Sequence, residues 1–186
     1  PEAIARANAD ILTVEELRRE FIGIYTEQGK EEAKIWINLN YGPFSEEELN
    51  HRMTRYGLNP CGEILGNDFH CNLAEVHLNQ IDPNNFEEQK KAFKAAALSV
   101  ACLLNHEFEV ERYRKSREFD PIVGVSFTGL FDFLVHAFGT PWLRWWEEGR
   151  PDTEVGREFK KRESKYLDSW RKVVKETVWE YCDKHK

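Results

Sequence analysis

No apolar run in these 186 residues reaches the ~18–20 needed to span a bilayer. The opening PEAIARANADIL lacks the basic-then-apolar order of a secretory signal. Cysteine is scarce, with four residues and no C-x-x-C pair. With nothing pointing to export, a cytoplasmic protein with reduced thiols is expected, without a disulfide framework. Bases are outnumbered 26 to 33, and the net charge of −7 argues against a nucleic acid polymer as partner. Internal repeats, low-complexity runs and a linker between domains are also missing. The chain opens without Met and stops just after a strong helical pattern, so it reads as a piece of something longer.

What is present is enough for a core, at 41% hydrophobic and 13% aromatic residues. The length suits one domain. Thr13 and Glu16 form a capping-box pattern ahead of a helix that Gly29 should stop. The stretch AKIWINLNYGPF is expected to be a strand or extended. A short helix should follow, with Ser45 as its cap and Gly57 as its stop. HCNLAEVHL is strand-like. Asn85 and Glu88 cap the clearest helix, whose apolar end AAALSVACLL predicts burial on most sides, with Cys102 as an inert buried thiol. DPIVGVSFTG is a strand ending at Gly129, and LFDFLVHAF is a helix closed by Gly139. Thr140 and Pro141 begin another helix. The last helix puts Tyr166, Trp170, Val173, Val174, Val178 and Tyr181 on one face. Trp142, Trp145, Trp146 and Trp170 read as packing aromatics. Alternating helix and strand predicts an α/β fold.

Chemistry concentrates between Leu58 and Gln80. In NPCGE, Pro60 fixes its own φ and biases Asn59 toward an extended conformation. Alternate residues of an extended segment share a face. Asn59, Cys61 and Glu63 would then present an amide, a thiol and a carboxylate about 6–7 Å apart. That row suits the edge of a sugar ring, and Gly62 leaves room for close approach. The carboxylate can accept a hydroxyl proton; the thiol can exchange a proton, an electron or a hydrogen atom. A turn at LGND could bring Cys71 near the same ligand, giving two thiols for redox work. Three other readings fit the same residues. One is a plain loop and strand. Another is a zinc site from Cys61, His70, Cys71 and His77, although adjacent His70 and Cys71 would face opposite ways on a strand. The third is a cysteine nucleophile with a histidine base.

The stretches NPCGEI (Asn59 to Ile64), CNLAEVHL (Cys71 to Leu78) and DPIVGVSFTGLFDFLV (Asp120 to Val135) occur here in the order found in the catalytic subunit of ribonucleotide reductases. The chain resembles that family most closely from Leu58 to Phe138. The resemblance implies that Cys61 becomes a thiyl radical and takes the 3′-hydrogen of the ribose. It implies that Glu63 is the base on the 3′-hydroxyl and that Asn59 bonds the substrate hydroxyls. Cys71 corresponds to one of the two cysteines that reduce the 2′-position and end as a disulfide. Its partner cysteine is not in this chain. The implied fold is part of a ten-stranded α/β barrel, with residues 58–64 as a central finger loop and residues 1–186 as the central portion of the catalytic barrel. Asn-Pro-Cys-Gly-Glu and the short interval from Cys61 to Cys71 look like the adenosylcobalamin-dependent, monomeric ribonucleoside-triphosphate reductases. That branch implies a ribonucleotide substrate, adenosylcobalamin held mainly by segments outside this chain, and a dithiol reductant such as thioredoxin.

The family's phosphate-binding segment, allosteric region and C-terminal cysteine pair are absent, and Cys182 reads as structural. The implied partners are therefore the missing N- and C-terminal segments of the same enzyme. Ser126 and Thr128, at the end of a barrel strand, are candidate substrate contacts. Glu75 shares a strand face with Cys71, and His70 and His77 are expected to be ordinary strand residues. No resident metal is expected. The competing reading is an inactive fragment, or an interaction module, that keeps the family motifs.

Overall fold

Helices account for most of the residues described by the computed structural model, which covers 1–54, 57–58, 64–65, 68, 70 and 72–185, with backbone alone at 57–58 and 64–65. Asn59, Cys61, Glu63 and Cys71 lie outside the described residues. The chain forms two compact units, Pro1–Cys71 with Glu107–Pro121, and Asn72–His106 with Ile122–Lys186.

The first unit holds α1 (Glu2–Ala7), α2 (Glu15–Gln28), α3 (Lys30–Tyr41) and α4 (Glu46–Thr54). It also holds the short strands β1 (Gly57–Leu58) and β2 (Ile64–Leu65), and α6 (Glu111–Phe119), which returns after the excursion described below. The segment expected to be extended is helix α3. Its buried Ala33 and Ile37 stand four residues apart, which is helical spacing, and Glu31 and Glu32 suit its first turn. The expected capping box at Thr13 does not form, since α2 is capped by Val14 without a side-chain bond. Arg18 instead donates to the carbonyls of Leu12 (3.0 Å) and Thr13 (3.2 Å). Ser45 does cap α4, accepting from the Glu48 amide at 3.1 Å. Gly57, the expected stop, begins β1, and α4 ends three residues earlier. Ala5, Leu12, Phe21, Ala33, Ile37, Leu49 and Met53 form the core. Buried Asn8 and Arg52 tie α1 to α4, with Asn8 donating to the Arg52 carbonyl (3.0 Å) and the Arg52 guanidinium donating to the Asn8 side chain (3.1 Å). Sequence patterning gave no hint of α6, because ERYRKSREF is too polar. Its pairs Arg114–Glu118 (2.7 Å) and Arg114–Glu111 (3.9 Å) run along the helix surface.

In the second unit, β3 (Asn72–His77) and β4 (Val123–Thr128) pair in parallel from Asn72↔Val123 to His77↔Thr128. Between them runs α5 (Phe86–Cys102), and after them come α7 (Leu130–Phe138), α8 (Thr140–Glu147) and α9 (Glu154–Lys184). Among the described residues the sheets are two-stranded, and no ten-stranded barrel is present. Asn85 caps α5 by accepting from the Glu88 amide, and Thr153 caps α9 by accepting from the Gly156 amide. At α8 the cap is Gly139 rather than Thr140. Gly129 takes φ +72°, and a Cβ there would come within 3.0 Å of Asn79.

Val76, Leu78, Phe93, Phe133, Trp142 and Trp170 are among the core residues. Phe93 stacks on Trp170 at 5.0 Å, and Phe133 meets the same indole edge-on at 5.3 Å. Each buried indole has an acceptor, which satisfies an N–H that would otherwise cost energy in the core. Trp142 donates to Glu163 (2.7 Å), Trp145 to the Pro151 carbonyl (2.9 Å) and Trp170 to Gln89 (3.1 Å). Gly156 permits the second contact, because a Cβ would lie 2.5 Å from the Trp145 nitrogen. Trp146 is 40% exposed but packs, as expected, against Trp142 at 5.5 Å and Phe131 at 5.7 Å. Cys102 is also exposed, because it ends α5 beyond the buried Val100 and Ala101.

Trp170→Ala is expected to cost about 3–5 kcal/mol, the range for deleting a buried aromatic. Trp179→Ala, at a 60% exposed position, should stay within about 0.5 kcal/mol. Urea denaturation followed by circular dichroism checks both. Gly129→Ala should lose about 1–2 kcal/mol through backbone strain, read by the same method.

Candidate functional site

The motif residues are framed by described backbone on one side. β1 and β2 pair antiparallel, Gly57 with Leu65 and Leu58 with Ile64. The pairing brings together the two ends of the stretch 59–63, which carries Asn59, Cys61 and Glu63 in the sequence. The geometry of that stretch lies outside the described residues, as does Cys71.

The parallel sheet of the second unit has two unlike faces. Alternation puts Asn72, Ala74 and Val76 on one face and Leu73, Glu75 and His77 on the other. The second set is exposed. Register places Glu75 beside Ser126 and His77 beside Thr128. Ser126 and Thr128 are likewise exposed, so a carboxylate, an imidazole and two hydroxyls share one open face. Leu73 lies across Gly124, where a Cβ would stand 2.7 Å from the Leu73 methyl. Glu75 and Ser126 thus share the exposed face, whereas the expected companion of Glu75, Cys71, lies outside the described residues. His70 is not a strand residue. Its ring packs 4.3 Å from Phe108 and 5.2 Å from Tyr113.

The first unit contains a polar cavity of about 500 Å³. Helix α4 lines it with Glu47, Asn50, His51 and Thr54, helix α6 with Arg112, Lys115, Ser116 and Phe119, and Asp68 contributes from the motif region. His51 makes a short hydrogen bond to Asp120, each side chain 9% exposed. These two residues are 69 apart in sequence, and no local pattern announces their meeting. Lys115 pairs with Glu47 at 2.9 Å, and this hydrogen bond raises its pKa. Arg112 donates to the Tyr113 hydroxyl at 2.9 Å, which with the nearby Asp68 carboxylate raises its pKa too. Both stay cationic near neutral pH and balance the carboxylates around them. Among the described residues, no three His, Cys, Asp or Glu side chains converge as a metal site requires. Two thiols of the zinc alternative, Cys61 and Cys71, are not among them.

Over 105 residues the chain is 34% identical to the adenosylcobalamin-dependent ribonucleoside-triphosphate reductase of Lactobacillus gasseri, a match covering 56% of this chain and 14% of that protein. The chain thus matches about one seventh of that reductase's length. No family model matches the chain, and no solved structure matches it. No helix among the described residues is long and apolar enough to cross a membrane.

Asp120→Ala removes a buried carboxylate from His51 and is expected to destabilise the protein by about 3 kcal/mol. A double-mutant cycle with His51→Ala should return a coupling above about 1 kcal/mol. Additive effects would show that the short contact contributes little.

Proposed function

We propose that this chain carries the catalytic loop of a ribonucleotide reductase and acts, within a larger assembly, in reducing ribonucleoside triphosphates to 2′-deoxyribonucleotides. The observation that carries this reading is the similarity to a ribonucleoside-triphosphate reductase over more than half of the chain. Two further features are in keeping with it. The motif residues Asn59, Cys61 and Glu63 fall between paired strands, where a loop tip would stand. In the sequence, Cys71 stands just before β3, the strand that carries exposed Glu75.

In the proposed reaction Cys61, as a thiyl radical, takes the 3′-hydrogen atom of the ribose. Glu63 accepts the 3′-hydroxyl proton, and Asn59 orients the hydroxyls by hydrogen bonding. The 2′-hydroxyl leaves as water. Cys71 and a cysteine outside this chain supply the two electrons and end as a disulfide, and Cys61 returns the hydrogen to C3′. A dithiol reductant such as thioredoxin would reopen the disulfide. Ser126 and Thr128, exposed on β4, are the proposed substrate contacts on the sheet. The two-stranded sheet would be the part of the ten-stranded barrel that these residues contribute, and a cytoplasmic setting follows from the reaction.

The described residues do not fit adenosylcobalamin. The cavities of about 500 and 640 Å³ in the first unit and about 400 Å³ in the second lie within the ~300–1,000 Å³ of sites that hold drug-sized ligands, and a corrinoid is far larger than such a ligand. The cofactor is assigned to other segments of the enzyme, and no step here runs through it.

The chain alone is expected to bind nucleotide weakly and not to turn over, because substrate positioning is lost with the phosphate-binding segment. Joined to the remaining segments it should form deoxyribonucleotides, and Cys61→Ser or Glu63→Gln should each lower that activity by a factor of at least ~10². Product formation unchanged by Cys61→Ser would overturn the proposal. Metal analysis of the purified chain is expected to find no stoichiometric zinc. Zinc lost on Cys61→Ser or Cys71→Ser would instead support the zinc reading.

A further inference from the structure

Charge is segregated along helix α9, with bases concentrated in its middle and Glu154, Glu176, Glu180 and Asp183 toward its ends. Residues 157–175 hold eight Lys or Arg and three Asp or Glu, a local +5 in a chain of net −7, which leaves −12 elsewhere. The first half contributes Arg157, Lys160, Lys161, Arg162 and Lys165; the second contributes Arg171, Lys172 and Lys175. All eight are exposed. The opposite side is buried by Phe159, Tyr166 and Trp170. Of the three acids, Glu163 is occupied inside the fold, 12% exposed and bonded to Arg150 at 2.5 Å and to the Trp142 indole. Only Glu158 and Asp168 remain among the bases on the surface of this stretch.

The surrounding ion pairs are weak. Lys161–Glu158 (3.9 Å), Lys172–Glu176 (3.8 Å) and Arg157–Asp152 (3.4 Å) join exposed groups, a class worth little in water. The bases are held in place nonetheless. Arg162 lies over the Phe138 ring at 4.3 Å and Lys165 over Phe86 at 5.6 Å. Exposed Lys90, Lys91 and Lys94 sit on α5, the helix packed against α9.

We propose that this face of α9 is a docking surface for an acidic helical segment of another protein. The charge-bearing stretch is about 27 Å long at the helical rise. A longer polyanion such as nucleic acid would run past it onto a chain that is otherwise acidic, whereas a short acidic segment matches it from end to end. Spacing points the same way. Arg157, Lys161 and Lys165 recur at about 6 Å, one turn apart, and carboxylates four residues apart on an acidic helix have the same interval. Contact-range charge is what such a partner meets, because more distant charges are screened beyond about 8–10 Å.

The test uses the 186-residue chain and a fluorescent alanine-based peptide of about 18 residues with Glu at every fourth position, followed by anisotropy in about 50 and 200 mM salt. The Glu peptide is expected to bind at the lower salt and at least tenfold more weakly at the higher. A peptide with Gln in place of Glu should not bind. The variant K160E/K161E/R171E/K172E should bind at least tenfold more weakly, with circular dichroism confirming its helix content. Should that variant unfold, K161Q/K172Q is expected to weaken binding about threefold. Absence of binding at low salt, unchanged affinity in the folded variant, or tighter binding of a 20-nucleotide single strand than of the Glu peptide overturns the proposal.

Discussion

Two parallel strands cannot be closed by a tight turn, so the chain must leave one end of the sheet and cross back to enter at the other. That requirement organises the second unit. Helix α5 follows β3 and covers the inner face of both strands, and Phe93 at its middle meets Phe127 of β4 at 6.4 Å and Trp170 of α9 at 5.0 Å. A parallel pair buried on this side by one helix needs a second layer, and α9 provides it along the length of α5. The Trp170 ring is where the layers join, touching Phe93, Phe127, Phe133 and Tyr166.

The cost of an aromatic core is the polar atom each Trp or Tyr carries into it. Gln89 answers for two segments at once, accepting from the Trp170 indole while donating to the carbonyls of Asp82 and Pro83. Tyr166 donates to the same Pro83 carbonyl, and burial raises its pKa. Glu163 plays the corresponding part for Trp142 and Arg150. These bonds set the rotation of α9. Once its apolar face is turned inward, its lysines and arginines have only solvent to face, so the basic surface follows from the core.

The functional reading rests on a different layer of information. The order Asn-Pro-Cys-Gly-Glu names chemistry directly, since an amide, a thiol and a carboxylate at two-residue spacing suit a sugar edge. The antiparallel pairing at 57–58 and 64–65 then frames that stretch, and the β3–β4 register sets Glu75 beside Ser126. The β3–β4 register could not be read from composition, because its partners are distant in sequence. The His51–Asp120 bond is of the same kind, joining α4 to α6 across 69 positions.

Local physics determined much of what the sequence foretold. Caps at Ser45 and Asn85 involve bonds three residues long, and Gly29, Gly129 and Gly139 stop or turn the chain through their own φ. Strands β3 and β4 and helices α5, α7 and α9 were legible because their apolar periods are strong. Helix α3 was missed because Ile35, Trp36 and Ile37 look β-like one by one, and only packing on α2 selects the helix that buries Ala33 and Ile37. Helix α6 was missed because its sequence carries no apolar stripe, and its packing on α4 joins segments distant in sequence. The exposure of Cys102 and Trp146 likewise depends on where neighbouring helices stop. The sequence by itself determined most of the element types and the caps at Ser45 and Asn85, which are local. Only the tertiary structure decided the strand register and the His51–Asp120 pair, because both join segments distant in sequence and no single segment encodes them.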